Sequence, residues 1–157
     1  MSLCLVANWK LNGSKEFNHQ WALEFLRNFN GNNFSILGIA PASLYIDHLK
    51  TILTDYDIEI GSQNIDLEET GARTGEISAS MIKDLGCAFS IIGHSERRML
   101  FHETNQMICQ KLIQADNNSV IPILCIGESA EENQSNNTFN VLEQQIIEAL
   151  ENANELS

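Results

Sequence analysis

The feature that most constrains the fold of this chain is a repeated alternation of short apolar runs with longer amphipathic stretches. Runs of this length are typical of buried strands, and the stretches between them carry apolar residues at helical spacing. Strands are predicted over Leu3–Ala7, Phe34–Ala40, Asp57–Gly61, Ala88–Ile92 and Val120–Ile126. Helices are predicted over Ser14–Asn28, Ser43–Leu53, Ser78–Leu85, Glu103–Asp116 and Phe139–Asn152, with polar loops around Gly71 and Gly75 and over Asn133–Asn137. Such a series of strand–helix units predicts an α/β fold with a parallel sheet.

Two parallel architectures fit this pattern. A flavodoxin-like open sheet uses five such units, and a chain of 157 residues would complete it. A (β/α)8 barrel uses eight units and typically about 250 residues. Periodicity does not distinguish the two, and length alone favours the open sheet. No interdomain linker interrupts the pattern, so residues 1–157 are predicted to form a single domain.

Charge and cysteine content narrow the classes of partner. Nine Lys and Arg against 21 Asp and Glu give a net charge of −12, which argues against binding nucleic acid or an anionic membrane. No Lys or Arg follows Lys111, and the acidic remainder is predicted to be a solvated face. Leu3–Ala7 is too short for a secretory or membrane segment, which predicts a cytoplasmic protein. The cysteines are scattered, so reduced thiols and no metal site are expected, with Cys4 and Cys125 inside apolar strands as core residues.

Polar and charged side chains follow four of the predicted strands. They are Asn8 and Lys10 after the first, Gln63 and Asn64 after the third, His94, Ser95 and Glu96 after the fourth, and Glu128 after the fifth. In either parallel architecture, ligands bind at the carboxyl ends of the strands. A cation, amides, an imidazole and carboxylates at one rim indicate a site for a small anionic substrate.

Lys10 and His94 each have a structural and a functional interpretation. A lysine after a strand is usually a surface charge, but in a protein of net charge −12 a phosphate-bearing substrate needs a local cation. A lone histidine is usually structural. Here Ser95 is a good helix N-cap residue, and the helix that it begins would direct its positive end at the His94 ring and disfavour imidazolium. A neutral imidazole can donate a hydrogen bond to a substrate carbonyl and stabilise an enediolate.

Four segments of the chain resemble those of triosephosphate isomerases, in that family's order and spacing over essentially the whole chain. They are Ala7–Gly13, Gly71–Glu76, Ile91–Arg98 and Pro122–Glu128. The Gly71–Glu76 segment is similar to the loop with which subunits of the family interdigitate. This resemblance changes the predicted fold from an open sheet to a TIM (β/α)8 barrel of which only the first five units are present, a partial barrel.

The resemblance implies interconversion of dihydroxyacetone phosphate and glyceraldehyde 3-phosphate through an enediolate, with no metal or organic cofactor. The resemblance also implies the family's known mechanism, in which a glutamate base acts together with a neutral histidine. By it, Lys10 stabilises substrate charge, Asn8 positions the substrate and His94 is the electrophile. Ser95, Glu96 and Cys125 belong to the supporting shell. Thr74 contacts the second subunit of a homodimer.

The resemblance also implies that parts of the family's site lie beyond residue 157. The family's sixth strand carries the general base and begins the lid, and its seventh and eighth strands supply amides for phosphate. Glu96 and Glu128 match other positions of the family, so neither substitutes for the base. The chain alone is therefore expected to be inactive and to associate through the Gly71–Glu76 loop or its open sheet edges. The alternative function is a non-catalytic binding or assembly fragment.

Overall fold

The structure is a computed structural model that describes residues 3–29 and 34–151. The strands are β1 Cys4–Asn8, β2 Ile36–Ala40, β3 Glu59–Ser62, β4 Phe89–Ile92 and β5 Ile121–Leu124. The helices are α1 Lys15–Asn28, α2 Ile46–Leu53, α3 Ala79–Asp84, α4 Ser95–Leu100, α5 Asn105–Asn117, α6 Ala130–Gln134 and α7 Thr138–Ala149. A 3₁₀ turn over Ser43–Tyr45 precedes α2. The predicted end of the last helix, Asn152, lies outside the described residues.

The strands form one parallel sheet in the order β1-β2-β3-β4-β5. A flavodoxin-like sheet has the order 2-1-3-4-5, so the strand order rules out the open-sheet alternative. When every strand pairs with its successor in the chain, the twisted parallel sheet curves as in a (β/α) barrel. The five strands form a half-barrel, and the prediction of a partial barrel is confirmed.

The sheet has two apolar faces, as alternation along a strand requires. Leu37 and Ile39 of β2, with Ile60 and Ile92 of the next strands, pack against the helices in the larger core cluster. Residues of opposite parity form a smaller cluster on the inner face. Its members are Ala40, Phe89 and Ile91, with Val6, Ala88, Ile123 and Cys125 packed against them. The helices therefore cover the outer face, and the inner face corresponds to the interior of the barrel.

Phe89 fills the inner face by lying over two glycines. A Cβ on Gly61 would come within 2.4 Å of the Phe89 ring, and one on Gly38 within 2.7 Å. Non-bonded carbon atoms cannot approach so closely, so glycine is required at position 61 of the adjacent strand β3 and at position 38 of β2, the strand beyond it. Glycine is needed at these two positions only so that the backbone can lie close to the ring, since neither residue has a positive φ.

The outer strands of the sheet are more exposed than the sequence predicts. Leu5 of β1 is 50% exposed and Ile121 of β5 is 54% exposed. Cys4 is exposed as well, so its predicted place in the core is wrong. The physical reason is that, within the described part of the chain, β1 and β5 each pair with one neighbour. Their apolar composition is that of strands covered on both sides.

Side-chain caps set most helix starts close to their predicted positions. Ser14, Ser78 and Thr104 each accept a hydrogen bond from a backbone N–H in the first turn of α1, α3 and α5. One prediction is wrong in part, because Asn133 lies in α6 rather than in a loop. Ser129 and Glu132 form a capping box there, which stabilises a helix too short to be detected by periodicity.

Among the helices within residues 3–29 and 34–151, none combines the length and apolar character needed to cross a membrane.

Candidate functional site

A cleft of about 670 Å³ lies at the carboxyl ends of β1, β3 and β4. Its polar lining includes Asn8, Lys10, Gln63, Asn64, His94 and Glu96. These residues lie at the ends of three strands, and Lys10 and Glu96, which are in contact, are 86 positions apart in sequence. The prediction that Lys10, His94 and Glu96 lie together on one rim is confirmed. The cleft is therefore the candidate site.

The Lys10 ammonium is paired with a carboxylate at the mouth of the cleft. Lys10 Nζ donates a hydrogen bond of 2.8 Å to Glu96 Oε1. This hydrogen bond is the main reason why the pKa of Glu96 lies below its usual value. The two side chains are 51% and 43% exposed, so the pair adds little to folding stability. Its effect is to hold a charged ammonium in one place.

The backbone of Lys10 adopts a left-handed conformation, with φ of 52°. Such a φ is uncommon for residues other than glycine, and persists only where the surroundings impose it. The Lys10 N–H donates to Asn8 Oδ1 at 2.9 Å, and its carbonyl accepts from Gln63 Nε2 at 3.0 Å. Asn12 Nδ2 donates to Trp9 O and secures the same loop. The strain lies in the residue that carries the cation.

His94 is the N-cap residue of α4, where the sequence predicted Ser95. The Glu96 N–H donates to His94 Nδ1 at 3.2 Å, whereas Ser95 is exposed at the first helical position. A ring nitrogen that accepts a hydrogen bond carries no proton, so the ring is neutral with its proton on Nε2. Nδ1 also lies 3.5 Å from Glu96 Oε2.

A buried ionic cluster that the sequence did not reveal lies behind the cleft. Arg97 Nε and Lys111 Nζ both donate to Glu103 Oε1, and Lys111 Nζ also donates to Asn64 Oδ1 at 2.8 Å. Burial lowers the pKa of Lys111, and the hydrogen bond to Glu103 opposes that change. Two cations therefore share one buried carboxylate, and one of them, Arg97, also lines the cleft. Glu103 precedes Thr104, the N-cap residue of α5, so no helical spacing in the sequence indicated its contact with Lys111.

Arg98 joins the carboxyl ends of β4 and β5. Its guanidinium donates to the carbonyls of Gly93 at 2.8 Å and Cys125 at 3.2 Å, and to Asn105 Oδ1. Cys125 comes just after β5 rather than within it, because the observed strand is shorter than the predicted strand Val120–Ile126. Its half-buried side chain packs on the inner-face cluster, and burial raises the pKa of the thiol. Cys125 does not line the cleft.

The loop between β3 and α3 reaches the cleft through Gly75 and Glu76, while Thr74 is exposed beside them. A salt bridge of 2.6 Å between Arg73 Nε and Asp66 Oδ1 anchors this loop. Burial raises the pKa of Asp66, but hydrogen bonds from Arg73 and the Glu68 N–H outweigh that effect and leave the pKa below its usual value. The loop is thus held by a carboxylate that stays charged.

A second hollow in the described structure has fewer polar groups than the cleft. A hollow of about 280 Å³ beside α1 is lined by Trp21, Glu24, Phe25, Asn28 and Phe29. It contains no cluster of polar groups comparable with that of the cleft. Among residues 3–29 and 34–151, no three His, Cys, Asp or Glu side chains come together as metal ligands would.

The fold and the cleft define the class: a parallel (β/α)-barrel protein whose polar site lies at the carboxyl ends of its strands. The sequence profile of a family described as triosephosphate isomerase matches residues 3–157. The chain belongs to the triosephosphate isomerase family.

Individual relatives agree with the family match. The triosephosphate isomerase of Baumannia cicadellinicola subsp. Homalodisca coagulata is 46% identical over 136 residues, which are 85% of this chain and 53% of the relative. That of Blochmanniella floridana is 44% identical over 149 residues, 92% of this chain and 57% of the relative. That of Escherichia coli O1:K1 / APEC is 39% identical over 142 residues, which are 90% of this chain and 56% of the relative. The chain thus spans just over half the length of these curated relatives.

Proposed function

We propose that this chain provides the substrate-binding part of a triosephosphate isomerase, which interconverts dihydroxyacetone phosphate and glyceraldehyde 3-phosphate by proton transfer through an enediolate. One observation carries the proposal: a strained lysine and a neutral histidine line the same cleft. The Lys10 ammonium supplies the positive charge that a phosphate ester needs in a chain of net charge −12. The His94 Nε2–H donates a hydrogen bond to the substrate oxygen on which negative charge develops.

Neighbouring residues have supporting roles in this proposal. Asn8 positions the substrate next to Lys10, whose backbone it already contacts. Glu96 holds the Lys10 ammonium, Ser95 begins the helix that follows His94, and Cys125 supports the rim. Thr74, on the exposed loop, contacts the second subunit of a homodimer. A soluble enzyme of this kind acts in the cytoplasm on glycolytic intermediates.

The general base is proposed to lie outside this chain. Glu96, in the cleft, is held by Lys10, and its lowered pKa makes it a weak proton acceptor. We therefore expect the 157-residue chain to bind triose phosphate without turning it over. General-base catalysis typically contributes about 10²–10⁴-fold, so its loss would leave little measurable isomerase activity.

Titration of the chain with dihydroxyacetone phosphate tests the binding part of the proposal. Lys10→Met should weaken binding by about 10–100-fold, because a hydrogen bond to a charged group is worth about 1.5–3 kcal/mol. Lys15→Met is the matched control, since it removes the same charge from an exposed position in α1. Equal binding by wild type and Lys10→Met, or no binding by wild type, would contradict the proposal.

A second candidate function is that of a non-catalytic assembly fragment. The exposed apolar residues Leu5 and Ile121 on the two outer strands, with Leu3 just before β1, favour it, because they suit pairing with another chain. Binding of triose phosphate distinguishes the two candidates. A coupled isomerase assay, repeated with His94→Gln to exclude host enzyme, then measures any turnover by the chain itself.

A further inference from the structure

The side-chain amide of Gln63 connects three strands at the floor of the cleft. Gln63 follows β3, and its Nε2 donates to Ala40 O, at the end of β2, at 2.9 Å. The same nitrogen donates to Lys10 O, in the loop after β1, at 3.0 Å. A primary amide has two N–H donors, so both are used and the NH₂ group is fixed in orientation.

The second of these bonds acts on the strained residue of the site. Lys10 has φ of 52°, and both polar groups of its backbone are held. The partner of its N–H is Asn8, two positions away on the same strand end. The partner of its carbonyl, Gln63, is 53 positions away and follows a different strand, β3. Gln63 is therefore the tertiary contact that links the left-handed conformation of Lys10 to the rigid part of the sheet.

We propose that Gln63 is a positioning residue, whose amide holds the Lys10 backbone in its left-handed conformation and thereby directs the Lys10 ammonium into the cleft. The inference rests on the proposed function, because it assigns Gln63 a role in binding the phosphate ester. It concerns an action through Lys10 rather than a contact between Gln63 and the substrate.

The consequence of losing this contact follows from backbone geometry. Without a donor at position 63, Lys10 relaxes toward negative φ, where side chains with a Cβ are more stable. The direction of its Cα–Cβ bond then changes, and Nζ leaves its place beside Glu96. Anion binding weakens, whereas the core clusters, to which Gln63 contributes nothing, keep the sheet folded.

Two variants of Gln63 and one control test the inference. Gln63→Met keeps the length of the side chain and removes both donors. Gln63→Glu keeps the shape and presents a carboxylate to two carbonyl oxygens. Gln145→Met is the matched control, because Gln145 also contacts a loop backbone after a strand, with bonds of 2.9 and 2.8 Å to the N–H and carbonyl of Gly127.

The measurements are the ¹³Cβ chemical shift of Lys10 in the labelled full chain, the affinity for dihydroxyacetone phosphate and the urea midpoint of unfolding. In both Gln63 variants the Lys10 shift should move toward that of an extended lysine, and the dissociation constant should rise about tenfold, equivalent to about 1.4 kcal/mol. In Gln145→Met the Lys10 shift should be unchanged.

An unchanged Lys10 shift in the Gln63 variants would overturn the inference, as would an equal change in the control. Loss of the folded sheet in both Gln63 variants would also overturn it, because Gln63 would then be a residue of general stability. If the wild-type chain does not bind dihydroxyacetone phosphate, the proposed function fails. The Lys10 shift still decides the role of Gln63 in that case.

Discussion

At the scale of single residues, charged groups in this chain are held by partners that are themselves fixed in the fold. Glu103 Oε1 accepts from Arg97 and Lys111, and Asp66 accepts from Arg73 and from the backbone of Glu68. Both carboxylates are nearly buried. Buried charges are expensive unless they are paired, so removing one partner should have a measurable cost in each cluster.

The Asp66–Arg73 salt bridge should make loop stability depend on pH. The pKa of Asp66 in the folded chain is below its usual value of 3.8, so its charge stabilises the fold above that pH. This contribution is lost as the pH falls through the folded pKa. We expect Asp66→Asn to lower the free energy of unfolding by about 1–2 kcal/mol at neutral pH, a value reduced for the exposure of Arg73.

Urea unfolding at neutral pH and near pH 3 measures this difference, which should shrink at the lower pH because Asp66 in the unfolded chain is protonated below its usual pKa of 3.8. Asp55→Asn, at an exposed position after α2, is the control and should change stability by less than about 0.5 kcal/mol. A cost of Asp66→Asn that stayed constant across this pH range would show that the charge of Asp66 is not its source.

The buried Lys111–Glu103 pair should be strongly coupled. Lys111→Met leaves the Glu103 carboxylate with Arg97 alone, and removing one partner of a buried pair typically costs about 3–5 kcal/mol. The double variant Glu103→Gln with Lys111→Met should cost clearly less than the sum of the two single changes. A double-mutant cycle of urea unfolding checks this, and simple additivity would show that the two groups act independently.

At the scale of elements, the three central strands pack together through the ring of Phe89. Its ring occupies the space above Gly38 of β2 and Gly61 of β3, which makes the inner face continuous across three strands. Interiors of proteins are close-packed, so the ring cannot move aside without loss. The packing of β2, β3 and β4 thus depends on glycine at positions 38 and 61.

Gly61→Ala should destabilise the sheet by about 1–3 kcal/mol, which is typical of overpacked cores. The added Cβ would lie 2.4 Å from the Phe89 ring. Gly127→Ala is the matched control, because a Cβ at Gly127 meets no atom within 4 Å and the residue has no positive φ. Thermal unfolding of the two variants should separate them, and Phe89→Leu should relieve part of the cost of Gly61→Ala. Equal stability of Gly61→Ala and Gly127→Ala would mean that the ring adjusts freely.

At the scale of the whole molecule, the half-barrel leaves apolar surface at both outer strands and on α7. Leu5 and Ile121 are 50% and 54% exposed, and Phe139 and Ile147 of α7 are 87% and 61% exposed. Contiguous exposed apolar surface marks association sites, and an unpaired strand edge offers free backbone donors and acceptors. Association should therefore be part of the behaviour of this chain in solution.

We expect sedimentation across a concentration series to show self-association of the isolated chain. The double variant Leu5→Lys with Ile121→Lys should reduce it, because lysines on edge strands oppose pairing. Met81→Lys is the control, since Met81 is 56% exposed but lies in the helix α3 rather than in an outer strand. A stable monomer of the wild-type chain at micromolar concentration would contradict the expectation.

The sequence by itself determined which segments form the five strands and the longer helices, because burial imposes a period on the residues of each element. It also placed Lys10, His94 and Glu96 at one end of the sheet, since residues that follow parallel strands meet at the same edge. The periodicity did not determine the order of the strands. Four segments resembling triosephosphate isomerases predicted a partial barrel, and the strand order confirmed it.

Only the tertiary structure decided which groups contact one another across the fold. The burial of the Glu103–Lys111 pair and the contact of Gln63 with Lys10 depend on the placement of whole elements. Local propensity contains no information about such contacts, because their members lie on different turns or strands. The exposure of Cys4 has the same origin, since an apolar strand is buried only where neighbours cover it on both sides.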